Sequence, residues 1–234
     1  MAVLLFVRLL ENVKHVLATS IASGRRAPRP TISKSHADRP STRHGPALPA
    51  GTAAAASTSP QLQGEPESTR YWLFKSEPGS RIVKGHDVKF SIDDLEAMPN
   101  QTTSWEGVRN YQARNLMRDD MKFGDLGLFY HSSCSDPAIV AIVKVVRESH
   151  PDPTSWNKSS PYYDPKSTPE SPRWFMVDIQ LVERLQHPIY LRQLKQYRDQ
   201  FQDLPLLSKG SRLSVQRVPP KHWNSILTLN NQPE

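Results

Sequence analysis

The sequence predicts an α+β fold, a small and partly open β-barrel of about five to six strands with short flanking helices. Three observations carry this. From Tyr71 onward, aromatic and β-branched residues come in short blocks separated by Pro, Gly, Ser and Asp turn signals. Between the blocks lie segments with helical rather than alternating spacing. Roughly 165 residues remain from that point, enough for one core that buries ~70% of the surface the unfolded chain exposes.

The elements follow in order. Tyr71 to Ser76 reads as a strand, ended by Glu77-Pro78-Gly79. Ser91 is the expected N-cap of a helix carrying Asp93 and Asp94 in its first turn, where the helix dipole favours anions. Asn110 to Arg118 reads as a second helix with Ala113, Leu116 and Met117 on one stripe. Leu126 to His131 is a strand, and Ala138 to Val146 is a nearly continuous apolar run. Ser132 to Pro137 joins them as a hairpin-like loop. Phe175 to Leu181 alternates, with Asp178 and Gln180 on the polar face. Leu191 to Tyr197 is a short helix. Arg212 to Val218 is a short strand in which Leu213 and Val215 alternate with Ser214 and Gln216. Pro219-Pro220 then opens a helix with Trp223, Ile226 and Leu227 at i, i+3, i+4. There is no internal repeat.

Residues 1–68 stand apart as a disordered, basic, targeting-like segment, leaving a folded domain over 69–230. Val3, Phe6, Val7, Leu10, Val13 and Leu17 lie near helical spacing, but Arg8 and Glu11 break the run, so it does not span a bilayer. The following stretch is rich in Arg, Ser, Ala and Pro. An amphipathic, arginine-rich, acid-poor start is the composition of a mitochondrial presequence; a plain disordered tail is the other reading. The formal charge of +7 is concentrated here: residues 1–64 hold 8 Lys/Arg and 2 Asp/Glu, a net of +6, which leaves +1 for the rest. The pI near 9.6 is therefore no evidence of a basic binding surface on the domain.

Much familiar chemistry is absent. The single Cys134 excludes a disulfide framework and a cysteine-based zinc site. No phosphate-cradling glycine loop, dinucleotide fingerprint or nucleophile elbow occurs, and no His pair has metal-ligand spacing. No cofactor, no metal and no membrane partner are expected, and the chain is expected to be a monomer. The informative stretch is Trp105 to Asn115. Gly107 permits a tight backbone there, and Tyr111, Arg114, Asn115 and Arg118 share one helical face. Two guanidinium groups beside an aromatic ring suit phosphate, and Trp105 at the helix entrance suits base stacking. A solvated face with a structural tryptophan is the alternative these residues leave open.

At these residues the chain resembles the EVE domain family. The blocks are Trp72-Leu73-x-Lys75-Ser76-Glu77-Pro78, Trp105-x-Gly107 through Asn115, Phe129-Tyr130-His131-Ser132, Tyr163-Asp164-Pro165, Pro172-Arg173-Trp174-x-Met176-Val177-Asp178 and Arg212-Leu213-Ser214-Val215-Gln216. The resemblance covers about Tyr71 to Leu229. It implies a PUA-like barrel and a non-catalytic reader of modified bases, of the 5-methylcytosine type, in DNA or RNA. It also implies a nuclear location, with the mitochondrion as the alternative drawn from residues 1–68.

By this resemblance, Trp105 and Trp174 are the two rings that sandwich a base, with Tyr130 or Tyr162 on the rim. Ser76, Asn110, His131 and Ser132 are the candidates for the base edge. Lys75, Arg109, Arg114 and Arg212 are the phosphate or sugar contacts, with Tyr111 and Ser214 in the same motifs. A buried methyl group is worth ~0.8 kcal/mol, so methyl discrimination is expected to be a few-fold. Two other functions remain open. Related ASCH domains include amidohydrolases acting on acylated cytidine through a lysine and a carboxylate, and Lys75 and Glu77 sit two apart at the end of the first strand, a spacing that lets both side chains point the same way. The Pro- and Tyr-rich segment Pro151–Pro172 alternatively suits a protein-docking loop.

Overall fold

The structure is a computed structural model that describes residues 69–231. The presequence and disordered-tail readings of residues 1–68 lie outside the described residues. In chain order come β1 (Tyr71–Ser76), β2 (Ile82–Val83), β3 (His86–Asp87), α1 (Ile92–Ala97), β4 (Thr102–Ser104) and α2 (Tyr111–Asn115). Then follow β5 (Leu126–His131), β6 (Ala138–Pro151), β7 (Phe175–Tyr190), α3 (Leu191–Gln196), β8 (Val215–Val218) and α4 (Pro220–Thr228). Six strands form one mixed sheet in the order β4-β7-β6-β5-β1-β8, and β2-β3 is a separate ribbon. β1 and β5 are parallel, from Tyr71↔Leu126 to Ser76↔His131; the other neighbours are antiparallel. The parallel pair needs a long crossover, which α1 and α2 occupy. β4 and β8 are the two edges, so the sheet stays open.

Several boundaries differ from those the pattern suggests. β6 and β7 run well past the apolar stretches that mark them, because four register shifts let the pair bend while it stays paired. β8 starts at Val215 rather than Arg212. α2 stops at Asn115 and passes into a wide π-type turn over Leu116–Asp120, closed by Met121 N–H donating to Leu116 O at 3.1 Å. The ribbon is not visible in the sequence pattern, since neither of its strands exceeds two residues. α1 has the expected cap: Ser91 Oγ accepts from Asp94 N–H at 3.2 Å, and the Asp94 carboxylate accepts from Ser91 N–H at 2.8 Å.

Alternation along β1 splits the core between the two faces of the sheet. Trp72 and Phe74 pack with Ile92, Leu95, Trp105, Val108, Ala113 and Met117. Leu73 faces the other way, toward Leu194, Phe201, Trp223 and Ile226. The buried Asp125 carboxylate ties the start of β1 in place, accepting from Trp72 Nε1–H at 2.8 Å and Arg70 N–H at 3.1 Å. Among the described residues no helix is long and apolar enough to cross a membrane, and no cluster of three metal-ligating side chains occurs.

Candidate functional site

An open cavity of about 830 Å³ lies where the end of β1, the β2-β3 ribbon, β4 and the loop after it, and the 160–162 loop converge. Trp105 lines it. β4 delivers this residue at its end, and Trp105 N–H donates to Val177 O at 2.7 Å. The ring is only 8% exposed and is held edge-on by Phe74, Phe90 and Phe129, with centroids 5.2, 6.4 and 5.8 Å away. Trp72 and Trp174 spend their indole N–H groups on Asp125 and Asp164, at 2.8 and 2.7 Å. Trp105 Nε1–H has no such partner among the described residues. Phe90 and Tyr162 supply further apolar lining.

The loop after Trp105 is fixed by a buried ion pair. Asp152 is fully buried and accepts from Arg109 Nη1 at 2.7 Å, Gly107 N–H at 3.0 Å, Thr154 N–H at 2.9 Å and Thr154 Oγ1 at 2.6 Å. Burial works to raise its pKa, but the hydrogen bonds from Thr154 and Arg109, the Arg109 charge and the Gly107 amide together hold it below the usual carboxylate range. The guanidinium of Arg109 is then completed by Tyr162 O at 2.7 Å and Thr154 Oγ1 at 3.0 Å. It lies against the Tyr162 and Trp174 rings at 5.6 and 5.3 Å. Gly107 adopts φ +76°, and a Cβ there would meet the Tyr162 ring at 2.7 Å. Glycine is thus required twice at this position, for its φ and for the close approach of the ring.

The cavity brings together seven of the residues expected from the sequence: Lys75, Ser76, Trp105, Arg109, Asn110, Tyr162 and Ser214. The other seven line no part of it. Trp174, expected as the second sandwiching ring, is 5% exposed and stacks on Tyr111 at 4.8 Å. The physical reason is the aromatic-guanidinium column that Tyr111, Trp174, Arg109 and Arg114 build together, of which only Arg109 reaches the cavity. Arg114 also donates to Arg173 O at 2.6 Å, while Tyr111, Asn115 and Arg118 on the same face are exposed. Tyr130 points to the opposite face of the sheet, and burial with Cys134 nearby pushes its pKa up to about 12. His131 Nε2 accepts from Ile92 N–H at 3.0 Å, satisfying a donor at the start of α1; burial lowers its pKa, which keeps that lone pair free. Ser132 N–H and Oγ–H both donate to Ser76 O, at 2.7 and 2.9 Å, locking β5 to β1. Arg212 is exposed ahead of β8.

Within the cavity the polar groups differ in what remains free. Ser76 Oγ–H donates to Phe90 O. Asn110 caps α2, its Oδ1 accepting from Gln112 and Ala113 N–H at 2.9 and 3.1 Å. Only the amide NH₂ of Asn110 is left to offer. Lys75 has no ion-pair partner among the described residues, and burial lowers its pKa. Sequence reasoning missed Phe90, Glu106, Asp152 and the ribbon. Glu106 lines the cavity, and desolvation and the nearby Asp152 carboxylate raise its pKa against the pull of Arg109. The lining holds four cations, Lys75, Arg81, Lys89 and Arg109, and three carboxylates, Glu77, Asp87 and Glu106. The field is thus nearly balanced, in keeping with a domain of low net charge.

Residues 70–229 match the EVE domain. Human thymocyte nuclear protein 1 is 46% identical over 168 residues, covering 69% of this chain and 74% of that protein. An uncharacterized protein of Schizosaccharomyces pombe is 45% identical over 171 residues, 72% of this chain and 71% of that one. Among solved structures, human THYN1 in complex with 5-methylcytosine containing DNA superposes with a TM-score of 0.68 at 43% identity, over 71% of this chain and 100% of that one. The mixed sheet with short flanking helices is accordingly the PUA-like α+β architecture the sequence resemblance implied.

Proposed function

The chain belongs to the EVE domain family, and on that premise we propose that residues 69–230 form one binding unit that reads a modified base of the 5-methylcytosine type in DNA or RNA, without catalysing a reaction on it. The observation that carries this reading is the cavity at Trp105. Its volume of about 830 Å³ is that of a ligand site. Aromatic residues line it, and its uncommitted polar groups include three donors, Trp105 Nε1–H, the Asn110 amide and the Lys75 ammonium, and one acceptor, the Glu106 carboxylate. A cytosine edge offers acceptors at O2 and N3, and its exocyclic amine finds an acceptor in Glu106. Unstacking a base costs a few kcal/mol, least in a single strand, and ring stacking returns ~1–3 kcal/mol. The complex of human THYN1 with 5-methylcytosine containing DNA supports the same ligand class here. The name of the curated relatives supports a nuclear location.

The amidohydrolase alternative is less favoured, because Glu77 Oε2 pairs with Arg81 Nε at 2.6 Å rather than with Lys75. Fluorescence anisotropy with matched single-stranded oligonucleotides carrying cytosine, 5-methylcytosine or 5-hydroxymethylcytosine tests the reading. The modified strands are expected to bind several-fold tighter, and Tyr162→Ala to lose that preference. Equal binding of all three strands, or full preference in Tyr162→Ala, refutes it. Trp105→Ala is a poor probe, because removing a ring packed against three others costs ~3–5 kcal/mol of stability.

A further inference from the structure

The most exposed large apolar side chain among the described residues is Ile82, at 64%. It sits in β2, directly opposite Asp87 of β3, and Asp87 lines the cavity. Side chains of directly opposed residues share a face of the ribbon, so Ile82 stands on the same face as a residue of the cavity wall. Two-residue strands without an apolar face are marginal on their own. This ribbon is nonetheless built stiff. Lys84 and Gly85 both have positive φ, +49° and +83°, the turn that matches strand twist. The Asp87 carboxylate accepts from Ser80 Oγ at 2.8 Å, Arg81 N–H at 3.0 Å and Lys89 N–H at 3.1 Å, closing the base of the ribbon. Lys84, in the turn two positions after the isoleucine, has no ion-pair partner among the described residues, whereas Arg81 pairs with Glu77 and Lys89 with Asp94, at 2.6 and 3.6 Å; the ribbon thus offers one uncommitted cation to a phosphate beside its exposed apolar side chain.

We infer that the β2-β3 ribbon is a wedge for duplex nucleic acid: when a base leaves its stack for the cavity, Ile82 enters the gap, and Lys84 holds a flanking phosphate. This rests on the base-reading proposal. Apolar side chains inserted between base steps are the general means of holding a duplex open. A preorganised ribbon presents that side chain without an ordering cost.

The test compares the full chain with Ile82→Ala, a surface change whose unaltered thermal midpoint checks folding. Three DNA probes share one sequence: a duplex with 5-methylcytosine, the same strand alone, and the duplex with an abasic nucleotide opposite the modified base. Ile82→Ala is expected to weaken duplex binding roughly tenfold and single-strand binding less than twofold. The abasic duplex, already opened, is expected to recover most of the loss. Equal weakening on all three probes, or none, overturns the wedge alone. Wild-type protein that binds methylated and unmethylated probes alike overturns the base-reading proposal, and the wedge with it.

Discussion

Replacing Gly107 by alanine perturbs the site at its tightest point. The residue holds φ +76°, where an L side chain costs ~1–2 kcal/mol. The new Cβ would stand 2.7 Å from Tyr162 Cε2 and 2.8 Å from Cδ2 and Cζ. Overpacking of that kind costs ~1–3 kcal/mol unless the ring moves, and a moving ring leaves its place beside Arg109. The sum is a loss of ~2–5 kcal/mol, or a fall in thermal midpoint of ~4–20 °C for a domain of this size. A double-mutant cycle separates the two causes. In Gly107→Ala with Tyr162→Ala, the clash is gone and the φ strain remains, so the combined loss is smaller than the sum of the single losses by ~1 kcal/mol or more. Urea denaturation of the four proteins gives the coupling. Strict additivity, or a Gly107→Ala protein as stable as wild type, refutes the claim that glycine is needed here for the Tyr162 ring.

Three further outcomes follow from the same contacts. Asp152→Asn leaves the Arg109 charge without its buried partner and is expected to cost ~3 kcal/mol at neutral pH. Because the folded pKa of Asp152 is lowered, its stabilisation is present above the unfolded pKa and lost as pH falls through the folded one; the variant's acid stability curve should be flatter than wild type. Glu106 has a raised folded pKa, so the folded state loses stability as pH rises from the unfolded value through the folded one. Glu106→Gln should therefore be more stable than wild type at neutral pH and equal to it in acid, as read by thermal denaturation across pH. Trp174→Phe removes the N–H that serves Asp164 and should cost ~1–2 kcal/mol of stability while leaving base preference in anisotropy unchanged.

The strands that carry the sheet were legible because burial writes itself into composition. Tyr71–Ser76 and Leu126–His131 lie between two cores, so both faces are apolar and the blocks stand out. The Ser91 cap was equally plain, since its chemistry is local. The ribbon was not, because Ile82 and Val83 look like any loop pair when nothing packs on them. The site was half legible. Trp105 and Gly107 mark themselves by type and by the backbone that glycine permits. Which other ring lines the cavity with Trp105 was not readable, since Tyr162 and Trp174 are both aromatic residues in Pro-rich surroundings. Both rings pack on Arg109, which Asp152 holds from 43 positions away. The helical face of Tyr111 and Arg114 shows the same limit: in a projection both look free, yet Trp174 stacks on Tyr111 and the Arg173 carbonyl accepts from Arg114.

The Trp105 indole N–H offers the most direct test, because it is a single NMR resonance. In ¹⁵N-labelled protein titrated with a short single strand containing one 5-methylcytosine, the Trp105 Nε1–H signal should shift. Those of Trp72 and Trp174, bonded to Asp125 and Asp164, should stay in place. A shift of the Trp174 signal with Trp105 unmoved would put the base on the wrong side of the Arg109 column and contradict the assignment of this cavity.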